Sequence, residues 1–115
     1  MQDVEILHRE AMELVDQAVN ARQRGDTNIA KELTKAAFAQ EQAAANLVAN
    51  LLDLEPTRSV LHRSAAMLAV ECSELREAER LIGRALAGYP PSDIANELRD
   101  LLLEEIYSRR QAIGN

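Results

Sequence analysis

Apolar residues recur every three or four positions along most of this chain, which is the spacing of an amphipathic helix. The first apolar stripe ends at Gly25, a residue that can close a helix in the left-handed conformation without a side-chain cost. A second stripe follows this turn and meets no helix-breaking residue before Pro56. The pattern predicts a helical hairpin over about residues 4–54, with a second helix elongated to about 26 residues.

The second half of the chain repeats this organisation. Proline fits the first turn of a helix but not its interior, so Pro56 predicts the start of a third helix. Apolar residues cover most of the circumference of that helix, which predicts neighbours on more than one side. A fourth helix ends at Gly88, giving a second hairpin over about residues 57–88, and a last amphipathic helix follows over about 92–111. We therefore expect a single all-α domain of about five antiparallel helices.

Composition supports a folded helical domain and limits the classes of partner that we expect it to bind. The chain of 115 residues has only four glycines and three prolines, too few for the many turns of a sandwich or barrel. Thirteen basic and nineteen acidic residues give a net charge of -6, which is the wrong sign for binding phosphate backbones, so we expect no nucleic-acid partner.

We also expect no membrane insertion and a cytoplasmic location. No apolar run approaches the roughly 18 residues that a bilayer requires, and the first ten residues mix charged with apolar side chains. The single cysteine, Cys72, has no partner for an internal disulfide, and we interpret it as a small buried apolar residue.

The two predicted hairpins align with each other, which is typical of stacked helical repeats. In each hairpin a short turn precedes two alanines that are one heptad apart, and Pro90 closes the second unit. The matching residues are Gly25, Asp26, Ala30 and Ala37 in the first hairpin and Ser73, Glu74, Ala78 and Ala85 in the second.

This arrangement over about residues 11–90 resembles the tetratricopeptide repeat, which uses such a turn, such small residues and a terminal proline. The chain departs from that family where Leu14 and His62 replace its favoured aromatic residue, and where Ala21 and Ala69 replace its tyrosine. The offset of 48 residues between the two units also exceeds the family's period of about 34 residues. The resemblance implies two stacked hairpins, with the last helix as a solvating cap.

The resemblance further implies a protein-binding groove lined by the first helix of each hairpin. Family members that capture a peptide carboxylate use lysine and asparagine at positions that here hold Val15, Val19, Arg63 and Met67, so we do not expect that clamp. The predicted groove is mostly apolar and suits an amphipathic helix. Its positions are Met12, Val15, Val19, Arg22, Val60, Arg63, Met67, Val70 and Glu71.

The chain shows no catalytic constellation, so we predict a protein-interaction module that is not an enzyme and that needs no cofactor. His62 and Cys72 are ten residues apart, or about 15 Å along one helix, too far to act as base and nucleophile. Glu5 and His8 form a single Glu-x-x-His pair, which we assign to a solvated face because a di-iron carboxylate bundle needs two. An alternative prediction is a small helical bundle that binds a ligand or metal through Glu5 and His8.

Two further alternatives remain at the level of sequence. The groove residues could belong to the core, or a homodimer could cover the end of the elongated second helix. The self-association residues in that hypothesis are Leu47, Val48, Leu51 and Leu52.

Overall fold

The computed structural model describes residues 2–109, which form five α-helices and one π-helical segment and contain no strand. The predicted all-α fold of about five helices is confirmed. The elements are α1 (Gln2–Gln23), α2 (Thr27–Val48), α3 (Thr57–Glu71), α4 (Leu75–Leu86) and α5 (Ser92–Asp100), which continues directly into the π-helical segment Leu101–Tyr107.

The turns that join α1 to α2 and α3 to α4 have the same hydrogen-bond pattern. Gly25 and Ser73 both adopt the left-handed conformation, with φ of 85° and 60°. The next amide in each turn reaches back into the preceding helix, to the carbonyl of Ala21 in the first hairpin and of Ala69 in the second. Both helices therefore end in a Schellman turn, and the chain reverses direction within three residues.

Alanines allow the two helices of each hairpin to approach closely. Each position that holds one of these alanines in the first hairpin holds another 48 residues later, and all eight are buried. The two hairpins therefore share the same turn and the same alanine positions at an offset of 48 residues. The four pairs are Ala18 and Ala66, Ala21 and Ala69, Ala30 and Ala78, and Ala37 and Ala85.

The hairpins stack through contact between α2 and α3, while α5 and the π-helical segment pack against α3 and α4. The principal extents are 43 × 42 × 20 Å, and the smallest equals about two helix diameters. The molecule is thus two helical layers thick. Its core contains the fully buried side chains of Val48, Ile82, Leu98 and Ile106.

The second helix is elongated relative to its counterpart α4, with 22 residues against 12, but it is shorter than the predicted length of about 26 residues. Helix α2 ends at Val48 and has the same length as α1, 22 residues. Beyond it the chain makes successive turns in which Leu51 donates to Val48 and Leu54 donates to Leu51. The carbonyl of Ala49 accepts a hydrogen bond of 2.9 Å from Arg58 Nε of α3 instead of continuing the helix.

Arg58 is the central polar residue of the fold. Its side chain is only 2% exposed, although a charged group is rarely buried without partners. It donates to the carbonyls of Ala49, Arg84 and Ala85 at 2.9, 2.9 and 3.4 Å. These carbonyls lie at the C-terminal ends of α2 and α4, where the helix dipoles place negative partial charge. One guanidinium thus joins the second helices of both hairpins.

Gly88 and Gly83 provide a matched test of this contact. A Cβ on Gly88 would collide with Arg58 Nη1, whereas a Cβ on Gly83 would meet no atom within 4 Å. We expect Gly88→Ala to lower the free energy of unfolding by about 2 kcal/mol, because a charged hydrogen bond is displaced. Gly83→Ala should raise it by up to about 1 kcal/mol through helix propensity. Urea unfolding followed by circular dichroism measures both, and equal effects of the two variants would contradict the assigned role of Arg58.

Candidate functional site

The predicted groove residues on α1 and α3 fall into open and covered groups. Val19 and Met67 are the most open apolar side chains among them, 40% and 52% exposed, and they occupy equivalent positions of the two hairpins. Met12, Val15 and Val60 are half-buried. An apolar side chain is thus exposed to solvent at the same place in each repeat.

Helix α5 covers one part of the predicted groove. Arg63 of α3 donates to Glu97 of α5 at 2.7 Å and is itself half-buried. The prediction that Val70 lines the groove is wrong, because Val70 is buried and belongs to the core. Helix α3 has packed neighbours on several sides, so a residue in its last turn is covered although its counterpart in the first hairpin, Arg22, is exposed.

A cavity of about 540 Å³ lies next to the open part of this surface. Arg22 and Glu71, both predicted groove residues, contribute to its lining. Val19 and Met67 lie one turn earlier on the same helix faces, at spacings of three and four residues. The exposed apolar positions therefore lie on the same helix faces as two lining residues, one helical turn away from them. Its lining residues are Arg22, Lys31, Thr34, Lys35, Glu71, Cys72 and Ser73.

Three of these lining residues, all on α2, were missed by the sequence analysis. The prediction confined the groove to the first helix of each hairpin, whereas Lys31, Thr34 and Lys35 belong to a second helix. A signal was present, because Lys31 and Lys35 are the only lysines of the chain and their spacing of four places them on one helix face. Cys72 is half-buried and lines this cavity, so its interpretation as a small buried apolar residue is wrong.

A buried carboxylate joins α1, α2 and α3. Glu41 of α2 is inaccessible to solvent, and His8 Nδ1 lies 2.8 Å from its Oε2. Burial raises the pKa of Glu41, while the hydrogen bonds from His8 and Ser64 act in the opposite direction. The interpretation as a solvated face holds for Glu5, which is exposed, whereas His8 is half-buried and is hydrogen-bonded to a buried carboxylate. The sequence contained a signal for this burial, because Glu41 lies among alanines on the stripe of α2 that faces the core.

His62 is a second buried polar group, next to Arg58. Its Nδ1 donates to the Arg58 carbonyl at 2.7 Å, and its Nε2 accepts from Arg84 Nε at 2.8 Å. The carbonyl cannot donate and the guanidinium cannot accept, so these two bonds require the neutral ring. Burial, followed by the positive charges of Arg84 and Arg58, lowers the pKa of His62 to about 4. His62 therefore anchors α3 to α4.

The four predicted self-association residues divide in a similar way. The prediction that Val48 contributes to self-association is wrong, because its side chain is fully buried in the core where α2 contacts α3. Leu47, Leu51 and Leu52, which we call the leucine patch, are 42–51% exposed. Leu51 borders two adjoining cavities at this end of α2. The patch is therefore an exposed apolar surface at the C-terminal end of α2.

Within residues 2–109, no three histidine, cysteine, aspartate or glutamate side chains are grouped so that they could hold a metal ion. No helix in that part of the chain combines the length and the hydropathy needed to cross a bilayer. No family model, curated protein or solved structure matches this chain. Its function is therefore inferred from its own residues and their geometry.

The neutral His62 predicts a specific pH dependence of stability. The unfolded side chain takes up a proton below about pH 6.5, whereas the folded one does so only near pH 4. The unfolded state binds more protons in this window, so His62 should reduce the free energy of unfolding by up to about 3 kcal/mol as the pH falls through it. Urea unfolding of the wild type and of His62→Gln at several pH values measures this difference.

The raised pKa of Glu41 acts in the opposite direction, since the folded state holds that proton more tightly than the unfolded state. This contribution is present in both proteins and cancels in the comparison. Parallel pH profiles for the wild type and His62→Gln would show that His62 is not held neutral.

Proposed function

We propose that this chain is a non-enzymatic protein-interaction module, which binds a segment of another protein through apolar positions of α1 and α3. The observation that carries the proposal is the exposure of Val19 and Met67 at equivalent positions of the two hairpins. A repeated apolar position on the surface supports a repeated contact with one elongated partner, because stacked repeats present equivalent positions side by side.

The charges around these positions suit an amphipathic segment. Arg22 and Glu71 lie on the same helix faces as Val19 and Met67, and they place one positive and one negative group at the edge of the apolar surface. A flexible methionine adapts to different apolar side chains. An amphipathic helix that lays its apolar face on this surface is the partner class that we propose.

The polar residues of the interior support a structural role over a catalytic one. His62 uses both ring nitrogens within the protein, and His8 is paired with Glu41. Cys72 lies at the far end of α3 from His62. We propose no cofactor, and a cytoplasmic location is part of the proposal.

Paired substitutions test the proposed binding surface. We expect purified wild-type protein to retain specific partners from a cell extract, and the double variant Val19→Glu and Met67→Glu to lose them, because two carboxylates would be desolvated in the interface. Quantitative mass spectrometry of the retained proteins gives the measurement. A photo-crosslinking residue at position 67 then shows whether a retained protein contacts this surface.

Ile29 and Leu103 supply the matched control, since both are exposed apolar residues outside the proposed surface. The double variant Ile29→Glu and Leu103→Glu makes the same change in charge and should retain the same partners as the wild type. If both double variants lose the same proteins, or if position 67 crosslinks to none of them, the proposed surface is wrong.

A second copy of the chain is a second candidate partner, and the leucine patch favours it. Three neighbouring leucines that are 42–51% exposed form an apolar surface of the kind that often marks an interface. The patch lies at the end of α2, whereas Arg22 and Glu71 line a cavity with residues near its beginning. Self-association there would leave the surface around Val19 and Met67 open.

Light scattering on a sizing column, across a concentration series, tests this second candidate. We expect a mass of twice 12.8 kDa for the wild type and a single 12.8 kDa for the double variant Leu51→Asp and Leu52→Asp. A wild-type mass of 12.8 kDa at every concentration would rule out self-association through the leucine patch.

A further inference from the structure

We propose that the cavity between α1, α2 and the end of α3 binds a dianionic phosphate group, either as free phosphate or as the phosphate monoester of a small molecule. The cavity is lined by Arg22, Lys31 and Lys35, which come from the last turn of α1 and the first turns of α2. Both lysines of an acidic chain thus face one cavity. This inference does not depend on the proposed protein binding, because the ligand is a small anion.

The cations of this cavity are available to a ligand. Neither Arg22 nor Lys31 has an ion-pair partner among residues 2–109. Lys35 lies 3.7 Å from Glu32, but both side chains are mostly exposed, and such a surface pair contributes about 0–1 kcal/mol. Binding an anion would therefore displace no strong interaction within the protein.

The charge of the lining selects a dianion. Glu71 is the one carboxylate among the lining residues, so three cations leave two positive charges. Burial raises the pKa of the Cys72 thiol, and Glu71 and Glu74 raise it further, so this thiol adds no negative charge at neutral pH. A phosphate monoester carries between one and a half and two negative charges at about pH 7, which matches the net charge of the lining residues in magnitude.

The helix ends near the cavity do not reverse this preference. The first turns of α2 place positive partial charge beside Lys31, while the last turns of α1 and α3 place negative partial charge beside Arg22 and Glu71. Each helix end is equivalent to about half an elementary charge, which is smaller than one full side-chain charge. Within the lining, the three cations therefore outweigh Glu71 and the helix ends.

Size and hydrogen-bond donors also suit a phosphate monoester. Small-molecule sites usually have volumes of about 300–1,000 Å³, and this cavity has about 540 Å³. The guanidinium of Arg22 and the two ammonium groups are charged donors, and the Ser73 hydroxyl is a neutral one. The remaining volume would accommodate the group that carries the phosphate.

A titration followed by amide NMR shifts tests the proposal. Inorganic phosphate and glycerol 2-phosphate are added separately at pH 7.5, with the ionic strength held constant by sodium chloride because exposed charges are screened by salt. We expect saturable shifts centred on the amides of residues 31, 34, 35, 72 and 73. The double variant Lys31→Gln and Lys35→Gln should weaken binding by at least about tenfold, because two charge-assisted hydrogen bonds are lost.

Arg9 and Arg99 provide a charge-matched control, because both are exposed and neither lines this cavity. The double variant Arg9→Gln and Arg99→Gln should bind both probes as tightly as the wild type. Stronger binding of glycerol 2-phosphate than of phosphate would assign the site to a monoester, and the reverse order would assign it to free phosphate.

Four results would overturn the proposal. Succinate binding as tightly as either phosphate probe would show that the site does not select phosphate. Equal weakening by the two double variants would show only a general effect of net charge. Shifts centred on residues outside the cavity, or the lack of saturable shifts with either probe, would show that this cavity is not the binding site. None of these results would alter the expected capture of protein partners by Val19 and Met67.

Discussion

The hydrogen bonds of Arg58 connect α3 to the C-terminal ends of both second helices. A buried guanidinium must satisfy its N–H groups within the protein, and here it uses the carbonyls at the ends of α2 and α4. Because these are the second helices of the two hairpins, one side chain fixes the alignment of both units relative to α3. It also caps the end of α2, since the carbonyl of Ala49 accepts a hydrogen bond from its Nε. Gly88 then has no room for a side chain beside it.

The other buried polar groups extend this framework to the remaining helices. His62 receives a hydrogen bond from Arg84 and donates to Arg58, so α3 and α4 are joined at a second point. Glu41 connects α1 and α3 to the middle of α2 through His8 and Ser64. Each group has partners from other turns or helices, which favours one arrangement of the helices over alternatives of similar apolar packing. A chain with few large core side chains and many alanines gains specificity from such contacts.

The proposed surface around Val19 and Met67 shares Arg22 and Glu71 with the neighbouring cavity, whereas the leucine patch is separate from both. Val19 and Met67 repeat one apolar position in the two hairpins, while the leucine patch lies at the opposite end of α2 from Lys31 and Lys35. The cavity next to Val19 and Met67 adds a charged site to an apolar surface. A protein segment and a small anion would therefore both contact Arg22 and Glu71, which the hairpin packing leaves open.

The sequence by itself determined the helices, the two turns and the repeated alanines. These features depend on short-range physics: helical periodicity, the left-handed conformation at Gly25 and the restriction at Pro56 act within a few residues. Only the tertiary structure decided where α2 ends, that Glu41 and Arg58 are buried, that Val48 and Val70 belong to the core, and that both lysines face one cavity. Those outcomes depend on partners far away along the chain, such as His8 at 33 residues from Glu41 and Ala85 at 27 residues from Arg58. The local pattern around a charged residue cannot specify whether a distant segment will supply the donor or acceptor that makes its burial favourable.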